Sequence, residues 1–320
     1  MNKTTAVWIA VAVSLILLGA VIFLVAAGSA SWDFAKLSGK EYETNTYEII
    51  ENFDNVSLKI DTADVLFLPS EDEKCRVVCY EETNMKHTVL VENGTLTVRA
   101  NDSRKWYEHI SWYDRGERLT VYLPQTAYAT LKIEGSTGDV ELPQDLSFGS
   151  IDIALSTGDV SCKASASQAI RIAASTGDIR LEGLSAASLA LSVSTGDVTV
   201  TSTTCAGDVT ISVSTGKVIL SELTCKGLTS DGSTGDISLK NVIVAEKLLV
   251  ERSTGDVRFE HCDADELSVM TNTGDVIGSL RSDKVFIVDT NTGSKEVPAT
   301  TAGGRCEITT DTGDIRITIG

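Results

Sequence analysis

A glycine returns every 19 or 20 residues through the last two-thirds of this chain. It stands at Gly138, Gly158, Gly177, Gly196, Gly216, Gly235, Gly255, Gly274, Gly293 and Gly313, inside Ser-Thr-Gly-Asp-Val or a close variant. A fixed period of this size marks an array of identical units. Each unit carries two short alternating runs. In "LALSVSTGDVTV", Leu189, Leu191 and Val193 share one side before the glycine, and Val198 and Val200 share one side after it. Period-two alternation means strands with one buried face. The leucine and asparagine spacing of leucine-rich repeats is missing. A propeller blade would need two units, and the near-identity of successive units speaks against that doubling.

The expected fold is therefore all-β, a parallel β-solenoid (β-helix) of about ten 19–20-residue coils, one unit per coil. Two inward columns follow. One runs Val140, Val160, Ile179, Val198, Val218, Ile237, Val257, Val276; the other runs Ile153, Ile172, Leu191, Ile211, Val250, Val269, Val288, Ile308. Val193 and Val198 both point inward yet are an odd number of residues apart, so a bend must fall inside Ser-Thr-Gly-Asp. Glycine permits positive φ there, and aspartate can bond nearby backbone N–H groups. The ten glycines are structural corners. The one-residue variation in length is expected on the side opposite the motif.

Residues 45–130 alternate less regularly and are read as an N-terminal β cap with irregular first coils, since a solenoid end needs a cover. "IDTADV" at 60–65 looks like a decayed corner, and "ENGT" signals a hairpin. At the far end the chain stops at "DIRITIG", which predicts an unprotected last edge at 314–320.

Residues 6–28 carry no charge. As a helix they span about 34 Å, enough to cross a bilayer core. A cleaved signal peptide is the alternative, but the apolar run exceeds the usual signal core. Lys3 ahead of the run favours the N-terminus inside. The organisation expected is a tail at 1–5, a transmembrane helix at 6–28, a linker at 29–44, the cap at 45–130 and the repeat solenoid at 131–320. That predicts a single-pass membrane protein with an extracytoplasmic body. Seven cysteines weigh the other way, because an odd number cannot pair completely.

"RLTVYLPQTAYATLKIEGSTGDV" (118–140), followed by serial "STGDV" units, resembles the bacterial "putative-adhesin" family of β-strand-repeat proteins. The resemblance spans roughly 45–320. It implies a β-solenoid on a membrane-anchored envelope protein and carries over no catalytic residues. Lys217 and Ser294 depart from the pattern by replacing the corner aspartate.

A net charge of −18 excludes a nucleic-acid backbone as partner. The corner aspartates Asp139, Asp159, Asp178, Asp197, Asp236, Asp256 and Asp275, with Asp314, admit two readings. They cap backbone groups at the turn, or they hold Ca²⁺ between coils. One aspartate per coil is thin supply for an ion wanting six to eight oxygens, so no cofactor is expected. Cys205 and Cys225 occupy equivalent places in consecutive coils, as a candidate disulfide or as two buried thiols. His87, His109 and His261 are scattered and no C-x-x-C pair exists, which argues against zinc. "RKWYEHISWYD" (104–114) gathers Trp106, Tyr107, Trp112 and Tyr113, either as a ligand-binding platform or as a plug over the first coil.

No group of convergent acids, bases or nucleophiles stands out, and no long insertion interrupts the array. The chain is therefore expected to be a non-catalytic binding, adhesion or scaffold module of the cell envelope. Its partner would be a cell-wall polymer or another envelope protein, with membrane contact through the N-terminal helix. The alternatives are a β-helix enzyme acting on polysaccharides and a Ca²⁺-stabilised spacer.

Overall fold

The computed structural model describes residues 3–29, 41–102 and 116–320. Apart from one helix, Lys3–Ser29, every regular element is a strand, and all strands belong to one continuous sheet. The helix contains a stretch, Val11–Ser29, long and apolar enough to cross a membrane.

The coils stack parallel and in register. Ile170 lies on Ile151, Leu189 on Ile170 and Val209 on Leu189; on the side after the corner, Ile179 lies on Val160 and Val198 on Ile179. The first expected column, Val140 through Val276, is fully buried. The second is buried except at Val288, which is partly exposed, and Ser230 fills the place between Ile211 and Val250. The core is thus a dry spine of β-branched and leucine side chains.

A second corner falls six residues after five successive corner glycines, Gly177 through Gly255. Gly183, Ser202, Glu222, Asn241 and His261 all sit there at φ between 49° and 66°. Polar bonds tie this column from coil to coil. The Ser202 hydroxyl donates to Glu222 (2.7 Å), and Arg281 donates to the His261 carbonyl (2.8 Å) and to Asn241 Oδ1 (3.1 Å). Variation in coil length is taken up at or after this corner, where the register slips between Phe259 and Cys262 and between Val244 and Lys247.

Both ends are interleaved. Asn55–Ile60 lies between Thr95–Asp102 and Ala127–Thr137, and Ala63–Pro69 lies between Glu117–Leu123 and Val140–Leu142. The first coil in sequence is therefore second in space. Antiparallel strands complete this end: Tyr42–Ile49 pairs with Cys75–Glu82, which pairs with Glu117–Leu123, and Met85–Glu92 forms a hairpin with Thr95–Asp102. The hairpin turns at Asn93 (φ 50°) and Gly94 (φ 72°), as the Asn-Gly pair requires.

At the other end, Gly304–Thr312 inserts between Leu267–Thr273 and Lys284–Thr292, and Ile315–Ile319 inserts between Val276–Leu280 and Lys295–Glu296. The expectation of an open edge at 314–320 is overturned, because the open edge belongs to Lys284–Thr292. The reason is legible in side chains. The final coil offers Cys306, Ile308, Ile315 and Ile317 to the spine, all buried. The penultimate coil places Lys295 where every earlier coil places an aliphatic residue, and Lys295 is exposed. A lysine at that column is tolerated only in an outermost layer.

Candidate functional site

The repeated corner is the most elaborately built feature. In each corner the glycine N–H and the N–H after the aspartate donate forward to the next coil. Gly177 N bonds Thr195 O (3.0 Å) and Ile179 N bonds Asp197 O (2.9 Å). The aspartate's own N–H is turned backwards, and the preceding coil's aspartate accepts it through Oδ1. Asp197 N reaches Asp178 Oδ1 at 2.9 Å, and the series runs from Asp64 through Asp139, Asp159, Asp178 and Asp197 to Lys217 N. It resumes from Asp236 through Asp256, Asp275 and Asp314 to Ser294 N. "IDTADV" is thus a true corner, with Asp64 starting the column.

The same column explains both departures from the motif. Lys217 receives a carboxylate through its own N–H but has no oxygen to offer Asp236. Ser294 ends the stack in space, so no further N–H awaits an acceptor. The backbone bond from Ser294 also holds the Asp314 carboxyl below its ordinary range. Second carboxylate oxygens are paired where an arginine is near: Arg180 on Asp178 (2.7 Å) and Arg258 on Asp256 (2.8 Å). With Oδ1 committed to the backbone, these aspartates offer a cation at most one free oxygen per coil.

Glycine is required here on two counts. Gly196 has φ +144°, and a Cβ on it would press into the Gly177 carbonyl below, 2.7 Å from its carbon. The threonine before each glycine points outward. Thr137, Thr157, Thr176, Thr195, Thr215, Thr234, Thr254, Thr273, Thr312 and Thr292 form one exposed column in unbroken register.

A groove of about 1020 Å³ lies at the cap end, lined by Glu48–Phe53, Pro69–Cys75 and Pro124–Tyr128 in part. Phe53, Tyr128 and Phe148 stack behind it with ring centroids 5.8 Å apart. Glu48, Glu51, Glu71 and Glu73 line it against a single lysine, Lys74. The sequence reading missed this groove, since its walls come from three separated turns.

The cap also buries a trio the sequence shows as scattered. The tight turn between Cys75–Glu82 and Met85–Glu92 brings His87 to Cys79 and Glu81, with one ligand-type atom of each within 4.8 Å of the others. Glu81 Oε2 accepts from the His87 backbone N–H (2.6 Å) and Nδ1 (2.7 Å), and Oε1 accepts from Asn45 (2.7 Å). Burial pushes the Cys79 thiol up to about 12. The trio has the donor types of a metal site, but its carboxylate is already spent fastening three strands together.

All seven cysteines are buried and unbridged. Cys205 and Cys225 sit on neighbouring coils as thiols, and burial pushes Cys225 up to about 12. Trp106, Tyr107, Trp112 and Tyr113 lie outside the described residues.

Comparison with known proteins fits this architecture. The profile of the Toastrack DUF4097 family matches residues 53–212 and again 198–320. No curated protein matches the sequence. Among solved structures, a "putative lipid binding protein" from Parabacteroides distasonis is 15% identical, with 87% of this chain and 97% of that one aligned at a TM-score of 0.48. A "putative adhesin" from the same species gives 11%, 87%, 98% and 0.44. Another from Bacteroides fragilis gives 15%, 88%, 99% and 0.38.

Proposed function

The chain belongs to the Toastrack DUF4097 family, and from that premise we propose that it is a non-catalytic binding module of the cell envelope. Lys3–Ser29 anchors it in the membrane and the solenoid faces outward from the cytoplasm. The reading rests on one observation: the exposed corner face is a flat, in-register column of threonine hydroxyls running the length of the stack. A surface that repeats with the coil spacing suits a partner that is itself extended, such as a cell-wall polymer or an elongated envelope protein. The excess of acidic groups favours a partner carrying cationic or neutral polar groups over an anionic one.

Two measurements test this. Protease added to intact cells cleaves the solenoid if the body is outside, and cleavage only after lysis overturns the topology. Isolated cell wall retains the wild-type chain but releases a Thr195→Lys/Thr215→Lys/Thr234→Lys variant. Equal retention of both removes the threonine face from the binding reading. Release of reducing sugar from the wall by the wild-type chain overturns the non-catalytic reading.

A further inference from the structure

In mid-stack a buried charge interrupts the spine. Arg252 occupies the inward site that Val193 and Val213 hold in earlier coils, and it is only 4% exposed. Its Nη1 donates to the Val213 carbonyl at 2.7 Å, two coils away. It reaches that far because the coil between has Gly232 at the same site, where a Cβ would stand 2.9 Å from Arg252 Cζ. The glycine is therefore space reserved for the guanidinium.

The other edge of the guanidinium has no partner. Nε and Nη2 are buried without a hydrogen bond. They lie along one side of the planar group and point the same way, the fork that grips an anion with two parallel bonds. Two more buried groups without partners flank it. Thr271 is the register neighbour of Arg252 in the next coil, and Ser230 stands two residues before Gly232 on the same inward face. Among the described residues Arg252 forms no ion pair. Burial pulls its pKa below the ordinary range, and the Asp231 charge opposes that pull only in part. The Asp231 carboxylate itself accepts from Ser212 at 2.8 Å. A buried cation without a counter-charge is strongly unfavourable. The guanidinium offers donors only and the two hydroxyls can donate or accept, so the charge of the arginine sets the sign of what would complete the cluster.

We propose that the Arg252 fork, with Ser230 and Thr271 beside it, binds a small monovalent inorganic anion of halide size inside the solenoid. Access is over Gly232, where a surface groove of about 410 Å³ includes both Gly232 and Arg252 in its lining. Asp231 and Glu251 also line that groove. They disfavour a large anion that would have to remain in the mouth, such as the carboxylate of a polymer. A small ion passes them and ends beyond, at the buried guanidinium.

The test uses the full chain in detergent. Amide exchange of 248–254 is followed in bromide and in gluconate at equal ionic strength, because gluconate is too large to enter. Protection should rise about tenfold for each tenfold increase in bromide above its Kd. The Arg252→Met variant, which replaces the charge by an apolar chain of similar length, should lose that dependence. Crystals grown in bromide should show anomalous density at Nε and Nη2. Equal protection in the two salts overturns the proposal, as does a fork occupied by water alone. If Arg252→Met does not fold, the wild-type salt comparison and the anomalous map decide by themselves.

Discussion

Substituting Gly196 by alanine tests the corner geometry most directly. The new Cβ would stand 2.7 Å from the Gly177 carbonyl carbon, whereas carbon atoms in contact prefer about 3.5–4.0 Å. Backbone lies on both sides, so relief requires the two coils to separate by about 1 Å. Such a gap carries Gly177 N to Thr195 O, Ile179 N to Asp197 O and Asp197 N to Asp178 Oδ1 out of range. The two neutral bonds contribute about 0.5–1.5 kcal/mol each and the charged one about 1.5–3. Holding alanine at φ +144° adds about 1–3 kcal/mol. The expected loss is roughly 3.5–9 kcal/mol. Gly183→Ala is the matched control. It too has positive φ (+66°), but the nearest atom to its Cβ is Gln144 Nε2 at 3.9 Å, and Ser202 holds the equivalent place in the next coil. It should cost about 1–2 kcal/mol. Urea unfolding gives the global values, and amide exchange across 170–200 detects local opening of an array whose coils contact only their neighbours. If Gly196→Ala costs no more than Gly183→Ala, the stacking argument fails and only backbone conformation matters.

Other expectations follow from the same columns. Asp197→Ala leaves Lys217 N–H without its acceptor and should lower stability by about 1–3 kcal/mol, whereas Ser294→Ala at the spatial end should stay within about 0.5 kcal/mol; urea midpoints compare them. Chelator should leave the melting temperature unchanged, because each corner carboxylate already bonds backbone, and a fall of several degrees would restore Ca²⁺ to the corners. Cys75, Cys79, Cys162, Cys225 and Cys306 are each pushed by burial from 9.0 to about 12. The stability this linkage carries is complete below pH 9 and is lost as pH rises from 9 towards 12, at about 1.4 kcal/mol per pH unit for each thiol. Melting followed from pH 8 to 10.5 should therefore fall steeply, and Cys162→Val should make the slope shallower by one thiol's share. An unchanged slope would show that the thiol is not held protonated by burial.

The repeat made most of the solenoid readable, because each inward side chain is fixed by alternation and each corner by a residue type with few alternatives. Asp64 and the Asn93–Gly94 hairpin were legible for the same reason. The second corner was not. Gly183 and Asn241 are types that favour positive φ, but Ser202 and Glu222 are not, and no common residue marks the column. The Cys79–Glu81–His87 trio depends on how the chain folds back at the turn after Glu82, which separation along the chain does not convey. Arg252 was visible in principle: in "LLVERSTG" the alternation that sends Leu248 and Val250 inward sends Arg252 inward too. The order of the coils was the largest loss. Parallel coils of like sequence can stack in any order that loop lengths allow. Only Lys295 and Ser294, residues that suit an outermost layer, signalled that chain order and spatial order part at the end.

That interleaving makes truncation behave unlike truncation of an ordinary solenoid, where removing the last coil costs one interface and leaves the rest intact. Here removal of residues 304–320 takes out an internal layer. Lys284–Thr292 then loses the strand it pairs with, and Lys295 loses Ile315. To dock again, this coil has to settle on Leu267–Leu280 and bring Lys295 over Val276. Lys295 then stands in the outermost layer, as it does over Ile315 in the full chain, so it does not oppose the move. The coil should therefore redock rather than hang free with Val285, Phe286, Ile287 and Val288 exposed, an apolar β-run of the kind that aggregates. Amide exchange should show 284–297 still protected in the chain ending at 303, with 150–250 as in the full chain, and light scattering should not rise. If 284–297 loses its protection once the final coil is gone, suiting an outermost layer is not enough to seat this coil, and the order of the layers must come from its fit to the final coil or from the connecting loops.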